Sequence, residues 1–158
     1  MNATEKLEAI ARFEAGGTAF DDLLSLDTKS LNWRPFPDAW TIHEHAVHVL
    51  EADIATFHRY RRAIAEPGSA VLGFNEEVWT PALNYQTHDL GATLALIRAL
   101  RAYTAAHLRT LADQDWTLWA FRHDSAGLVN LETWIETYID HIRFHRELID
   151  RNLRLLRA

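Results

Sequence analysis

Long amphipathic segments, separated by residues that stop helices, constrain the fold of this chain most. Apolar residues recur every three or four positions through most of the sequence, and no stretch shows a convincing strand pattern. Pro35 and Pro37 exclude a helix from their segment, because each removes a hydrogen-bond donor and restricts the residue before it. Residues 66–68, Glu-Pro-Gly, form a second break. The pattern predicts an all-α protein, a four-helix bundle.

The predicted helices cover residues 3–26, 39–65, 89–112 and 130 to near the C-terminus. Asn2, with Glu5 three residues later, has the pattern of a capping box at the start of the first helix. Asp38 and Asn130 are the expected N-caps of the second and fourth helices.

The connections after the second and third helices are long, at residues 69–88 and 113–129. A short helical piece is expected at 75–79, inside the first of them. Connections of this length in a compact domain are often functional, for instance as the lid of a pocket.

Length and composition narrow the class of protein. The 158 residues are predicted to form one domain, residues 1–158, large enough to bury a core. The net charge of −6 argues against nucleic acid or an anionic membrane as a partner. The absence of cysteine excludes disulfides, zinc–thiolate sites and a cysteine nucleophile. Without a signal-peptide pattern or an apolar run of ~18 residues, a cytoplasmic protein is expected.

Two histidines four residues apart lie in the apolar stripe of the fourth predicted helix. His141 and His145 fall between Trp134 and Leu148, so both imidazoles point the same way and could bind one metal ion. Burying an imidazole without a partner costs about 1–3 kcal/mol, and a shared metal would satisfy both. Alternatively, each histidine is separately hydrogen-bonded where two helices meet.

Two well-known metal motifs are disfavoured by the sequence. His43-Glu44 begins an HExxH pattern, but Val47 stands where the second histidine is required. The di-iron bundle signature Glu-x-x-His is also absent, because no glutamate is followed by histidine three residues later.

A third metal ligand could come from the second predicted helix. His43 lies in the apolar stripe of that helix and His48 at its edge, so both stay open as ligands, while His45 is expected to be exposed. Glu44 and Glu51 lie on the same side as His48, where a carboxylate could orient its ring; alternatively, both face solvent.

The chain closely resembles the DinB/YfiT-like superfamily. That family has Trp-Ser/Thr-x-x-Glu-x-x-x-His in its second helix and His-x3-His in its fourth. The matching stretches are Trp40-Thr-Ile-His-Glu44-His-Ala-Val-His48, Asn75-Glu-Glu-Val-Trp79, Asp115-Trp116, Gly127 and Tyr138-Ile-Asp-His141-x3-His145. They are spread over nearly the whole chain.

The resemblance implies a four-helix bundle that holds a divalent metal, usually nickel or zinc, on three histidines. Carried over by position, the ligands are His48, His141 and His145. It also implies a homodimer. A metal with three protein ligands keeps an open position, which is the arrangement of a catalytic site. Relatives transfer low-molecular-weight thiols, use such thiols as cofactors, or are described as metal-dependent hydrolases.

The resemblance therefore implies an enzyme acting on a small molecule, by thiol transfer or hydrolysis, with an external thiol as a possible cosubstrate. The alternative is a bundle that binds a metal or ligand in a stress response without catalysis. Tyr138, Glu44 and Arg101 are the candidate catalytic residues. Tyr138 could donate a hydrogen bond to substrate, or be a core tyrosine; Arg101 could bind a substrate carboxylate, or pair with a glutamate.

Overall fold

Helices account for most of the computed structural model, which describes residues 1–158. They are α1 (Ala3–Ala15), α2 (Thr28–Leu31), α3 (Ile42–Ala65), α4 (Glu76–Ala82), α5 (Leu90–Arg109) and α6 (Leu131–Arg157). Short 3₁₀ turns lie at Gly16–Thr18, Asp21–Ser25, Tyr85–Thr87 and Trp116–Leu118. None of the helices is both long and apolar enough to cross a membrane.

The long helices α1, α3, α5 and α6 pack as a bundle. α1 packs against α5 and α6, and α3 packs against the same two helices. α1 and α3 are therefore diagonally opposite in the bundle, as are α5 and α6. The predicted four-helix arrangement is therefore present. The homodimer and the cytoplasmic location stay predictions.

The first helix is shorter than predicted. α1 begins with the expected capping box, in which Asn2 accepts from the backbone N–H of Glu5 at 3.0 Å. It ends at Ala15, and two 3₁₀ turns replace the rest of the predicted helix 3–26. A Cβ at Gly17 would lie 3.2 Å from the Cα of Arg98, so glycine lets α5 approach this turn closely.

The start of α3 corrects the predicted cap at Asp38. Thr41 is the N-cap; its hydroxyl accepts from the backbone N–H of Glu44, and the Glu44 carboxylate accepts from the backbone N–H of Thr41 at 2.7 Å. This reciprocal pair satisfies two donors that the first turn of a helix otherwise leaves free.

The predicted cap of the fourth long helix and the predicted short helix at 75–79 are confirmed. Asn130 caps α6 by accepting from the backbone N–H of Thr133 at 2.9 Å. The helical piece expected at 75–79 is α4, capped by Asn75.

A small sheet corrects the all-α prediction. Its strands are β1 (Ala70–Val71), β2 (Ala120–His123) and β3 (Gly127–Asn130). β1 pairs parallel with β2, in the register Ala70 to Arg122, and β2 pairs antiparallel with β3, in the register Phe121 to Val129. Gly127 begins β3 at φ +72°, a conformation that glycine adopts without strain. The sheet joins the two long connections and packs on α3.

A buried ion pair separates two apolar clusters inside the bundle. One cluster contains Phe13, Tyr60 and Trp134, and the other is mainly aliphatic, with residues such as Ile42, Leu94 and Ile149. Between them, Arg101 of α5 donates to both carboxylate oxygens of Asp53 of α3, at 2.7 and 2.8 Å. The same guanidinium donates to the carbonyls of Phe13 and Tyr138, both at 3.1 Å, and so contacts all four long helices.

Candidate metal centre

Ring nitrogens of three histidines from α3 and α6 converge at one point. The Nε2 atom of His141 lies 3.2 Å from Nε2 of His48 and 3.1 Å from Nε2 of His145. One nitrogen of each ring lies within 4.8 Å of the other two. His48 and His145 are buried and His141 is half-buried. The structure thus brings together the three histidines that the resemblance implied, while His43 lies outside the cluster.

The spacing of these nitrogens fits a metal ion. Two nitrogens bound to tetrahedral zinc at ~2.0–2.1 Å lie about 3.3–3.4 Å apart, close to the separations in this cluster. Hydrogen bonds among the rings fit less well, because one proton on Nε2 of His141 can serve only one of its two neighbours. The Nδ1 atoms of His48 and His141 are buried without a hydrogen-bond partner, so neither ring is paired through its other nitrogen.

The three imidazoles are neutral near pH 7, the form that offers a lone pair to a metal. Burial lowers the pKa of His48 to about 4. Burial lowers the pKa of His141 to about 3 and that of His145 to about 2, and repulsion between protonated rings of the cluster adds to the effect. A metal would therefore meet little competition from protons at neutral pH.

We expect the metal-free protein to lose stability as the pH falls from 6.5 towards 4. In that range histidines of the unfolded chain, with pKa values near 6.5, bind protons that the folded cluster excludes, so acid favours unfolding. For each such histidine, the free energy of unfolding falls by up to about 1.4 kcal/mol per pH unit. Urea denaturation at pH 7, 6 and 5 measures this slope, and His145→Leu should reduce it by one histidine's share. Equal stability at pH 7 and pH 5 would contradict the expectation.

His45 is buried, contrary to the prediction that it is exposed. Its Nδ1 atom lies 3.0 Å from Nδ1 of His145, on the side of that ring away from the cluster. Burial lowers the pKa of His45 to about 3, so this ring is also neutral. If Nε2 of His145 offers its lone pair to a metal, Nδ1 of His145 carries the proton and donates a hydrogen bond to Nδ1 of His45. His45 can thereby fix the tautomer and orientation of a ligand.

The cover over His45 comes from the segment before α3. The Trp40 ring lies 5.5 Å from that of His45 and 4.8 Å from that of His48, between ring centroids. Asn152 of α6 donates to the carbonyl of Trp40 at 2.8 Å and holds the segment against the bundle. The residues that precede α3 therefore bury a face that helical periodicity alone assigned to solvent.

The two carboxylates considered as partners of His48 make no hydrogen bond to it. Glu44 is occupied at the start of α3, where it also accepts hydrogen bonds from Arg34 at 2.8 Å and from Gln86 at 3.0 Å. Neither Glu44 nor Glu51 hydrogen-bonds to His48, so the first of the two alternatives does not hold. The second, that both face solvent, does not hold for Glu44, which is buried.

The other two candidate catalytic residues differ in their access to the cluster. Arg101 is enclosed in its ion pair with Asp53, with 1% of its side chain exposed, and cannot reach a substrate. Tyr138 lines a cleft together with His48 and His141, and its hydroxyl accepts from Arg59 at 3.2 Å. The hydroxyl proton of Tyr138 has no acceptor in the protein and is free for a ligand.

Two clefts meet at the histidine cluster. The larger, of about 430 Å³, is lined by all three ligand candidates together with Trp40, Glu77, Phe144 and Arg151, among others. The smaller, of about 290 Å³, contains His48 and His141 together with Arg59, Phe74, Ser125 and Tyr138. Glu76 lines both clefts. Trp79 does not line either cleft; its ring packs on that of Phe74, whose ring in turn lies 6.0 Å from that of His48.

Comparison with known proteins identifies the family and the architecture. Residues 12–149 match the sequence profile of the DinB superfamily. The chain belongs to this superfamily. It is 26% identical over 112 residues to the "Putative metal-dependent hydrolase YfiT" of Bacillus subtilis (strain 168). That match covers 70% of this chain and 63% of the relative, which is less than two thirds of the relative's length.

The fold is shared with a solved structure of YfiT from Bacillus subtilis, described as "a probable metal-dependent hydrolase with an unusual four-helix bundle topology". The TM-score is 0.84 at 21% sequence identity, over 98% of this chain and 87% of the solved one. At this identity the likeness establishes the architecture.

Proposed function

We propose that this DinB superfamily member is a metal-dependent hydrolase of small molecules, with nickel or zinc held by His48, His141 and His145. The observation that carries the proposal is the convergence of three neutral ring nitrogens where two open clefts meet. Structural zinc is usually closed by four protein ligands, whereas three ligands beside a cleft leave a position for water or substrate. The name of the YfiT relative supports the same class of reaction.

The chain's own residues can bind and orient a substrate there. A divalent metal with an open position supplies Lewis acidity, which polarises a carbonyl or phosphoryl oxygen and acidifies water. Tyr138 presents a free hydroxyl proton beside His141, where it can donate to an oxygen of the substrate. Phe74 and Trp40 form apolar walls beside His48, one in each cleft, against which an apolar part of a substrate can pack.

Thiol transfer is the second candidate, favoured by the presence of two clefts. A thiol in one cleft and an electrophile in the other would both reach the histidine cluster. The chain contains no cysteine, so the thiol would come from a small molecule such as a low-molecular-weight cellular thiol.

Metal content and turnover test the proposal together. We expect protein purified without an affinity tag, then loaded with zinc or nickel, to hold one metal per chain by elemental analysis. The loaded protein should hydrolyse members of a panel of small esters, amides, lactones and phosphoesters. Turnover that requires an added thiol would instead select the transferase.

Control variants distinguish an enzyme from a bundle that binds metal without catalysis. His48→Ala should lose both metal and turnover, whereas His58→Ala, which removes an exposed histidine of α3, should keep both. Stoichiometric metal without turnover on any substrate class would favour the non-catalytic stress-response alternative. Protein that takes up no metal, with unchanged thermal stability on adding zinc or nickel, would overturn the proposal.

A further inference from the structure

An arginine without a carboxylate partner lies in the smaller cleft. Arg59 is 9% exposed, yet no carboxylate oxygen lies within 4.0 Å of its guanidinium. Its hydrogen bonds are to neutral oxygens: Nη1 donates to the Tyr138 hydroxyl at 3.2 Å, and Nη2 donates to the Leu72 carbonyl at 2.8 Å. Burying a charge without an opposite charge is costly, which distinguishes Arg59 from Arg101 with its partner Asp53.

The position of Arg59 on α3 directs it toward the histidine cluster. It follows His48 by three helical turns, so both lie on one face of the helix, and helical side chains point back toward the N-terminus. Both residues line the smaller cleft, together with Tyr138 and His141. Its volume of about 290 Å³ is near the lower limit for small-molecule pockets.

The guanidinium has donors left for a ligand. Arginine carries five N–H donors in a planar fork that matches a carboxylate or phosphate. Two hydrogen bonds to protein oxygens leave the remaining donors available. Glu76 also lines the cleft but makes no ion pair with Arg59, so its charge lowers the affinity for anions without occupying the guanidinium.

We infer that Arg59 is an anion-binding subsite, and that the substrate carries an acidic oxygen group, a carboxylate or a phosphate, that binds in the smaller cleft. Arg59 would bind this group while the reacting bond lies at the histidine cluster. The substrate class rests on the proposed function; the anion site itself does not require the metal.

Anion binding by the metal-free protein tests the subsite without interference from a metal that could bind anions itself. Acetate, malonate and inorganic phosphate are titrated against the protein, with acetamide as the neutral comparison. Binding is followed by NMR through the backbone amides of residues that line the smaller cleft, such as Gly73 and Ser125, which every variant retains; in wild type the Nε–H resonance of Arg59 is followed as well. We expect saturable shifts with at least one anion and none with acetamide. Preference between the carboxylates and phosphate identifies the acidic group.

Matched variants assign the binding to Arg59. Arg59→Met should abolish it, and Arg59→Lys should weaken it about ten- to a hundredfold, since charged hydrogen bonds are lost or misplaced. Arg61→Met removes an exposed positive charge from the same helix and should leave affinity unchanged. Glu76→Gln should increase anion affinity. Thermal unfolding of each variant confirms that it is folded, and Arg59→Lys keeps donors for Leu72 and Tyr138.

The outcomes separate this inference from the proposed function. Equal anion binding by wild type and Arg59→Met, or no binding of any anion by wild type, would overturn the subsite. Metal uptake is measured on the same preparations. Metal uptake without anion binding would contradict the subsite and leave the proposed function intact. A third outcome is anion binding that is lost in Arg59→Met while the protein takes up no metal. It would support the subsite and contradict the proposed hydrolase.

Discussion

His141→Ala should reduce zinc and nickel affinity about a hundredfold or more. Nε2 of His141 lies within 3.2 Å of both other ligand nitrogens, so its loss leaves the metal only two protein ligands, one on each helix. Zinc binding worth ~10–16 kcal/mol over four ligands gives about 3 kcal/mol for each. Competition titration with a chromophoric chelator at pH 7 measures the change.

This effect should be separable from misfolding. Nδ1 of His141 is buried without a partner, so the metal-free variant should lose little stability. His45→Ala should have a smaller effect, about ten- to a hundredfold in metal affinity, because it removes a residue that orients His145 and leaves all three ligands in place. His58→Ala should have none. Equal affinity in His141→Ala and wild type would place any bound metal elsewhere.

Features set by neighbouring residues could be predicted from the sequence. The caps Asn2 and Asn130 act on residues three positions away, so both are visible as short patterns. Thr41 is also such a pattern, with Glu44 three residues on, but Asp38 competes with it as a capping residue. Only the fold of the intervening segment decides between them.

The sheet could not be predicted in this way. Its strands have two to four residues, too few to show alternation, and Ala70 pairs with Arg122 across the α4–α5 region. Such pairing depends on where the bundle places the two connections. The absence of a local pattern therefore says little about short strands.

The histidine site, too, could be predicted only in part from local sequence patterns. The spacing of His141 and His145 showed that they share a face, but the choice of His48 over His43 came from the family resemblance. His45 was assigned to solvent because the stripe of α3 describes contacts with other long helices and not the cover supplied by Trp40. Arg59 showed no pattern of its own, because its environment is created by α6 and the chain around β1.

Breaking the buried ion pair should be among the most destabilising single changes in the protein. Asp53→Asn or Arg101→Met should each reduce the free energy of unfolding by about 3–5 kcal/mol, because either leaves a charge or polar groups buried without their partner. Urea denaturation of the metal-free protein at pH 7 measures the loss. Arg12→Ala, which removes one partner of the exposed pair with Glu136, should cost at most about 1 kcal/mol.

The double variant Asp53→Leu with Arg101→Met distinguishes a mutual interaction from two separate losses. With both charges gone, its cost should be well below the sum for Asp53→Leu and Arg101→Met measured singly. It should still be less stable than wild type, because the carbonyls of Phe13 and Tyr138 lose their donor. Additive losses would contradict the interaction. Arg101 also connects the two ligand-bearing helices, because it donates to Asp53, five residues after His48, and to the carbonyl of Tyr138, three residues before His141.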